Sequence, residues 1–237
     1  MRADIGGRIA ALDWAAIERR LDERGYATTP ALLGATECAR LARLFADDGR
    51  FRSRIDMARY RFGEGEYKYF SAPLPPLVAA LRAHLYARLV PLANRWQAAL
   101  GEPTRYPPAL ATYLARCAAA GQHRPTPLLL RYTAGGYNCL HQDLYGALAF
   151  PLQVTVLLSR VGRDYTGGEF LLVEQRPRAQ SRGDAVVLAQ GEAVVFANRH
   201  RPVAGRRGAY RATVRHGVSR LHTGERMSLG VIFHDAE

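Results

Sequence analysis

The first half of the chain places apolar residues at helical spacing. Four segments follow this pattern: 14–24, 36–47, 74–100 and 107–120. Apolar positions three and four residues apart lie on one face of a helix, so each segment predicts an α-helix. Thr36 is the predicted N-cap of the second helix, and Pro75 and Pro76 stand at the start of the third. Residues 26–33 predict a short strand.

The pattern changes after Pro125, where short runs rich in β-forming residues replace the helical segments. Glycine, asparagine and proline separate these runs, as expected for turns. Seven predicted strands follow: 128–132, 152–159, 169–173, 185–188, 193–197, 212–216 and 227–233. Many short, closely spaced strands predict a β-sandwich or jelly roll. We therefore predict an α+β fold: an N-terminal helical support, residues 1–124, packs on a β-core, residues 125–237, as one structural unit.

One segment, RYRFGEGEYKYF at residues 59–70, fits neither half. Aromatic and charged residues surround two glycines there. This texture predicts a hairpin or a flexible flap.

Composition changes this picture only through charge. Apolar residues make up 48% of the chain and charged residues 23%, which is ordinary for a globular protein with a core. The net charge of +12 is high, and Lys68 is the only lysine among the 33 basic residues. Arginine makes forked contacts with phosphate and carboxylate. A basic surface of this kind favours a polyanionic partner such as nucleic acid.

The sequence shows no pattern typical of disulfide-bonded, secreted or membrane-spanning proteins. Cys38, Cys117 and Cys139 form no CxxC pair, which argues against a disulfide framework or a zinc knuckle. Residues 1–11 lack a basic segment followed by an apolar run, and no stretch of about eighteen apolar residues occurs. We expect a cytoplasmic protein without a membrane span, and no feature predicts an oligomeric state.

His141 and Asp143 are the first candidate metal ligands. They stand two residues apart in the segment LHQDLYG, and on a strand residues i and i+2 point to the same face. A second histidine from a distant strand would complete a two-histidine, one-carboxylate face with three open positions. Non-haem iron(II) oxygenases use that arrangement. The alternative is a buried carboxylate satisfied by an imidazole.

His216 is the predicted third ligand. A β-rich stretch separates it from Asp143, and a basic residue, Arg226, follows it by ten positions. His200 is the rival for this position, and its residue at plus ten is Tyr210. A histidine followed by a basic residue at plus ten resembles the distal ligand of prolyl-4-hydroxylase-like enzymes, and this resemblance favours His216.

Arg226 and Ser228 predict an anion site. Arg226 directly precedes the predicted strand 227–233, and Ser228 is its second residue. In an extended chain both side chains lie on one face, while Met227 and Leu229 point to the opposite face. A guanidinium beside a hydroxyl suits a buried carboxylate. The alternative is a surface arginine at a strand start.

The order of these residues resembles the double-stranded β-helix of the 2-oxoglutarate- and iron(II)-dependent dioxygenases. The tail HGVSRLHTGER and the GGE turn at residues 167–169 are similar to those of prolyl-4-hydroxylase-like enzymes. The segment RYTAGGYNCLHQD is similar to the AlkB-type nucleic-acid demethylases, where a tyrosine nine residues before the first ligand contacts 2-oxoglutarate. Tyr132 has that position. The AlkB pattern, however, puts its carboxylate-binding arginines further beyond the distal histidine.

A third resemblance covers the chain from about Phe51 to its C-terminus. The stretches FSAPLPPLV, NCLHQDLYG, GGEFLLVEQRPRAQSR and RHGVSRLHTGERMSLGVIFHDA resemble a bacterial family of oxygenases of damaged DNA. Fold and cofactor follow from this resemblance more directly than substrate does.

The resemblance implies an enzyme with a double-stranded β-helix (jelly-roll) core, using iron(II), 2-oxoglutarate and O2. It implies that the metal is held by His141, Asp143 and His216. It implies that 2-oxoglutarate is held by Arg226, Ser228 and Tyr132. Two residues near the ligands in sequence are expected to orient them: Asn138 and Gln142.

Three functions compete at this point. The first is oxidative dealkylation of damaged nucleic-acid bases, and the second is prolyl-4-hydroxylase-like hydroxylation of a protein or small molecule. The third, a non-catalytic metal-binding core, is disfavoured by the full ligand set and the anion site. Candidate substrate contacts are Tyr67, Tyr69, Arg199, Arg201, Arg206 and Arg207. The alternatives for these six residues are a core-covering hairpin and a solvated arginine-rich loop.

Overall fold

The computed structural model describes residues 4–206 and 208–237, so the predicted substrate contact Arg207 lies outside the described residues. Within these ranges the helices are α1 (Ile5–Ala10), α2 (Trp14–Arg24), α3 (Ala35–Arg43), α4 (Pro76–Ala99) and α5 (Leu110–Ala119). The strands are β1 (Tyr26–Thr29), β2 (Phe51–Asp56), β3 (Gly63–Glu64), β4 (Glu66–Phe70), β5 (Leu128–Thr133), β6 (Tyr137–His141), β7 (Leu152–Leu157), β8 (Tyr165–Gly167), β9 (Phe170–Gln175), β10 (Arg182–Val186), β11 (Ala193–Ala197), β12 (His200–Gly205), β13 (Gly208–Val218) and β14 (Leu221–Val231).

The strands form two antiparallel sheets. The large sheet has the order β1-β11-β7-β14-β5-β4-β2, and β8 also pairs with β14. The small sheet has the order β10-β9-β13-β6-β3, and β12 also pairs with β13. The sheets face each other, since the rings of Phe170 on β9 and Phe196 on β11 lie 4.9 Å apart. This arrangement of helices and facing sheets is the predicted α+β jelly roll.

The N-terminal half supplies strands as well as helices. β1, β2 and β4 extend the large sheet, and β3 extends the small one. The long helix α4 buries residues such as Leu81, Leu85 and Leu89 at helical spacing. Pro75 is its N-cap and Pro76 its first residue, where a missing N–H costs no hydrogen bond.

Most of the predicted elements are confirmed, and α2 and β11 match residue for residue. Asp13 caps α2 by accepting a hydrogen bond from the Ala16 amide, and Gly25 ends it in the left-handed conformation. The prediction of Thr36 as the N-cap of the next helix is wrong. Gly34 is the N-cap, and the Glu37 carboxylate accepts from its amide at 2.8 Å.

The prediction of a hairpin or flap over residues 59–70 is confirmed only in part: β4 forms an antiparallel hairpin, but its partner β2 lies before the segment. β4 lies between β2 and β5 inside the large sheet, while β3 pairs with β6 across the other sheet. The sequence of the partner strand β2, FRSRID, does not predict a strand, because polar residues at its second to fourth positions interrupt the apolar alternation. No helix in the described ranges is long and apolar enough to cross a membrane.

An aromatic cluster joins the C-terminal segment to the helices. Its members surround Phe150, whose ring centroid lies 4.9 to 5.2 Å from three of them: Tyr86, Tyr106 and Phe233. Phe150 has no exposed surface. The cluster therefore fixes the loop that runs from β6 to β7.

We expect Phe150→Ala to lower the free energy of unfolding by about 3–5 kcal/mol, because it removes a buried ring and leaves a cavity. Denaturant unfolding of the metal-free protein measures the change. Val187→Ala is the control, since Val187 is 63% exposed and its truncation should change stability by less than about 0.5 kcal/mol. Equal effects of the two substitutions would contradict this account of the cluster.

Candidate metal centre

Strand pairing places two imidazoles side by side. His141 is the last residue of β6, and His216 lies directly opposite it on β13 of the small sheet. Directly opposed residues of an antiparallel pair point to the same face. Their ring centroids are 4.2 Å apart. Two residues that are distant in sequence thus become neighbours through the register of one strand pair.

Asp143 completes the group from the loop that follows β6. Its Oδ1 lies 3.5 Å from His141 Nε2, and its Oδ2 lies 3.3 Å from His216 Nε2. The ligand-type atoms of the three residues lie within 4.8 Å of one another. One cation can therefore contact all three side chains.

The Asp143 carboxylate is held on both sides. Tyr145 donates a hydrogen bond to Oδ1 at 2.5 Å, and Gln153 on β7 donates to Oδ2 at 2.8 Å. Asn198 accepts from the Asp143 amide at 3.0 Å and donates to its carbonyl at 2.6 Å. These contacts fix the orientation of a carboxylate that its loop alone would leave free.

The protonation of the cluster suits a cation. Burial alone would raise the pKa of the Asp143 carboxyl, but the His141 charge and the hydrogen bonds with His216 and Tyr145 hold it far below its usual range. Burial and the neighbouring His141 ring lower the pKa of His216. His141 Nδ1 lies 2.8 Å from the Cys139 carbonyl, which leaves Nε2 free to accept a metal. Metal binding requires this anionic carboxylate, and the ion displaces the protons from the imidazole nitrogens that bind it.

Arg226 faces the same cavity from the large sheet. It is 2% exposed, and none of the described carboxylates forms an ion pair with it. Its Nη1 donates to Ser228 Oγ at 3.2 Å, while its buried Nε has no partner within the described chain. The guanidinium also hydrogen-bonds to the Tyr165 hydroxyl, but a buried charge without a salt-bridge partner is costly. The site therefore fits a small carboxylate bound beside the metal ligands.

Three further residues were predicted near the cofactor or the metal ligands: Tyr132, Asn138 and Gln142. Tyr132 is fully buried, and its ring centroid lies 5.8 Å from the Arg226 guanidinium carbon. Asn138 donates to the Tyr132 hydroxyl at 3.2 Å, and Gln142 donates to the Val214 carbonyl at 2.8 Å. Neither amide contacts a candidate metal ligand directly, so each can act only through the strands that it braces.

A cavity of about 350 Å³ between the sheets contains the candidate ligands, Arg226 and Ser228. Tyr67 and Tyr69 form part of its wall. Tyr69 donates to the Tyr145 hydroxyl at 2.8 Å and so belongs to the network that ends at Asp143. Burial raises the pKa of Tyr67 to about 12. Both tyrosines therefore remain neutral hydrogen-bonding groups inside the cavity.

The predicted arginine contacts separate into two kinds. Arg199 and Arg206 are exposed. Arg201 has no exposed surface: its Nε donates to Glu174 at 2.5 Å and its Nη1 donates to the Asp22 carbonyl at 2.7 Å. This placement corrects the expectation for Arg201, which ties β12 to α2 and cannot reach a phosphate in solution.

Sequence reasoning missed the residues that hold Asp143: Tyr145, Gln153 and Asn198. A signal existed for Gln153, because it is a single amide within the apolar run LQVTVLL, and a buried polar group needs a partner. Asn198 carried no such signal. It lies in the turn after β11, where asparagine is common for reasons of backbone conformation alone.

Comparison with known proteins gives a family match over most of the chain. The model of a family described as "Oxygenase, catalysing oxidative methylation of damaged DNA" matches residues 65–236. Two uncharacterized proteins from different strains of Mycobacterium tuberculosis are each 48% identical over 202 residues. That alignment covers 85% of this chain and 84% of each relative.

Solved structures share the fold at low sequence identity. A prolyl-4-hydroxylase from Pseudomonas putida has a TM-score of 0.52 and 16% identity, with 94% of this chain and 99% of that chain covered. An oxidoreductase of the 2OG-Fe(II) oxygenase family from Burkholderia pseudomallei has a TM-score of 0.54 and 18% identity, with 94% and 91% covered. These similarities confirm the jelly-roll fold.

His234 gives the metal-free protein a testable pH dependence. It is 1% exposed, and burial lowers its pKa from 6.5 to about 4. The unfolded chain therefore takes up a proton below 6.5 that the native state refuses until about 4, so stability falls as the pH decreases through this window. The contribution lost between about pH 7 and about pH 5 is roughly 2 kcal/mol.

Denaturant unfolding of the chelated protein at these two pH values measures the loss. We expect His234→Gln, which keeps an acceptor near the Phe150 amide, to reduce the difference by that amount. The exposed His123→Gln should leave the difference unchanged. If His234→Gln retained the full pH dependence, His234 would not be its source.

Proposed function

The chain belongs to the family of oxygenases described as acting on damaged DNA, and from this membership we propose that it removes alkyl groups from damaged nucleic-acid bases by oxidation. Its enzyme class is that of the iron(II)- and 2-oxoglutarate-dependent dioxygenases. It has their fold, and its cavity contains a two-histidine, one-carboxylate set. Its cofactors are iron(II), 2-oxoglutarate and O2.

One observation carries the proposal for the site: the ligand set and the Arg226 guanidinium, which forms no salt bridge with a described carboxylate, face one cavity from opposite sheets. His141, Asp143 and His216 would hold iron(II), since two imidazoles and a carboxylate leave positions open for further ligands. Arg226 and Ser228 would bind the distal carboxylate of 2-oxoglutarate. Tyr132 would support this end of the cosubstrate through its position beside Arg226.

The bound metal and 2-oxoglutarate supply the activation of O2 that oxidises a substrate C–H bond, with succinate and carbon dioxide as coproducts. Tyr145 and Gln153 keep the Asp143 carboxylate anionic and fixed in orientation. Walls such as Leu128 and Phe170 limit water in the cavity. An N-methyl group oxidised there becomes a hydroxymethyl group, which collapses to formaldehyde and the free amine.

The nucleic-acid substrate is supported by the family description and by charge. The net charge of +12 favours association with a polyanion, and Arg199 and Arg206 are exposed on the side of the β12–β13 hairpin. A hydroxylase of a protein or small molecule is the second candidate. The ten-residue spacing from His216 to Arg226, which resembles the prolyl-4-hydroxylase-like tail, favours it.

The test is a coupled assay on the iron-loaded protein. The enzyme is mixed anaerobically with 2-oxoglutarate and alkylated single- or double-stranded oligonucleotides, and succinate and formaldehyde are followed after oxygen is admitted. We expect the two products to rise together on at least one lesion and to vanish in Asp143→Ala. If no oligonucleotide changed the rate of succinate formation, the nucleic-acid substrate would be wrong and the second candidate function would be favoured.

Arg226→Ala should raise the KM for 2-oxoglutarate by about 30-fold or more, because it removes a buried charge-assisted pair worth roughly 2–5 kcal/mol. Ser228→Ala should have a smaller effect, of about 10-fold or less, since it removes one neutral contact. Steady-state kinetics and direct 2-oxoglutarate binding measure both. The control is Arg215→Ala, since Arg215 is exposed on β13. Unchanged affinity in Arg226→Ala would show that the anchor lies elsewhere.

A further inference from the structure

Two aromatic rings stand exposed at the mouth of the metal cavity. Tyr60 and Phe62 are each 47% exposed, and their rings stack with centroids 5.6 Å apart and planes 21° apart. Phe62 also forms part of the cavity wall. Large exposed aromatic side chains placed next to one another mark an interaction site more often than a packing defect.

The pair is attached to the strand that carries His141. The Phe62 carbonyl accepts a hydrogen bond from the Cys139 amide at 2.8 Å, two residues before His141. Gly63 allows this close approach, since a Cβ there would lie 2.3 Å from the Tyr137 carbonyl oxygen. The rings therefore keep a fixed position relative to the candidate metal ligands.

Two arginines alternate with the rings. Arg59 and Arg61 are exposed, and neither forms an ion pair with the described part of the chain. The Arg59 guanidinium carbon lies 5.7 Å from the Tyr60 ring centroid. Arg61 has a positive φ of 60°, a conformation that non-glycine residues rarely adopt and that is held here by the bonded turn around Met57. The four residues Arg59, Tyr60, Arg61 and Phe62 are called the rim platform below.

We propose that the rim platform binds a single-stranded nucleic acid next to the base that enters the cavity. An unpaired neighbouring base would stack on Tyr60 and Phe62, and its flanking phosphates would contact Arg59 and Arg61. Aromatic rings interleaved with cations bind single strands in this way, because every base offers a π-face and every linkage offers a charge. This inference rests on the proposed function and narrows its substrate to an unpaired strand.

Single strands fit better than duplex or peptide for two reasons. The faces of bases within a duplex are covered by their neighbours, so a stacking platform gains a partner only where the strand is unpaired or a base is flipped out. The two unpaired arginines match a phosphate backbone and have no matching charge on a proline-rich peptide. Tyr67 and Tyr69, the other predicted aromatic substrate contacts, form part of the cavity wall and could contact the base that enters, while the rim platform contacts its neighbour.

The experiment measures binding of a short fluorescein-labelled single-stranded DNA to the protein by anisotropy, with 2-oxoglutarate present under anaerobic conditions. Tyr60→Ala/Phe62→Ala should weaken binding about 10- to 100-fold, since each stacked base is sensitive to loss of its aromatic partner. Tyr60→Phe/Phe62→Tyr exchanges the two rings and should restore wild-type affinity. The Ala pair must also retain the wild-type unfolding midpoint and 2-oxoglutarate affinity, which shows that the cavity is intact.

Charge is tested separately by the salt dependence of the same binding. Arg59→Gln/Arg61→Gln should make the slope of log K against log salt shallower by about 1.4, or about 0.7 for each phosphate contact in a single strand. The matched control is Arg19→Gln/Arg20→Gln on α2, which removes the same charge. α2 packs against β1, at the edge of the large sheet opposite β2 and the rim platform. This control should leave the slope close to that of the wild type.

The outcomes separate this inference from the proposed function. If the wild-type protein dealkylates or binds the oligonucleotide and the Ala pair binds equally well, the rim platform is wrong and the function stands. If the wild-type protein binds no nucleic acid at low salt, both fail. Loss of affinity for a proline-rich peptide alone, with oligonucleotide binding unchanged, would make the platform a peptide surface and overturn the inference.

Discussion

The pairing of β6 with β13 is the constraint on which the site depends. Its register puts His141 opposite His216, so two imidazoles that are far apart in sequence lie on the same face of the sheet. A slip of one residue would turn one ring to the other face of the sheet and destroy the set. The loop that follows β6 then needs only two residues to bring Asp143 to the same point.

The facing sheets divide the chemistry between them. The small sheet contributes the two histidines, while the large sheet contributes the anion site of Arg226 and the amide of Gln153. A charged carboxylate and a charged guanidinium thus occupy one cavity without neutralising each other. Direct pairing of the two would satisfy both groups and leave no site for a cosubstrate. Because they are held on two separate sheets, the carboxylate and the guanidinium both remain available to bind ligands, in positions that are already fixed.

The sequence left the surroundings of several candidate substrate contacts open, because a side chain's direction depends on which strands its own strand joins. Tyr67 and Tyr69 were predicted on a hairpin or a flap, and the position of β4 inside the large sheet turns them toward the cavity. Arg201 was expected at a basic rim, but the pairing of β12 with β13 buries its guanidinium against Glu174. Neither outcome can be read from local composition, because arginine and tyrosine occur in both surroundings.

The sequence by itself determined the α+β jelly-roll class and the long helices, since periodicity is a local property of the chain. Spacing also predicted His141 and Asp143 as neighbours, and the family resemblance added His216 to them. The sequence also placed Arg226 and Ser228 on one face of a strand. Only the tertiary structure decided that no described carboxylate forms a salt bridge with Arg226, that Gln153 and Asn198 hold Asp143, and that exposed rings stand at the cavity mouth. Those facts concern contacts between distant strands, and they are fixed by register and burial rather than by neighbours along the chain.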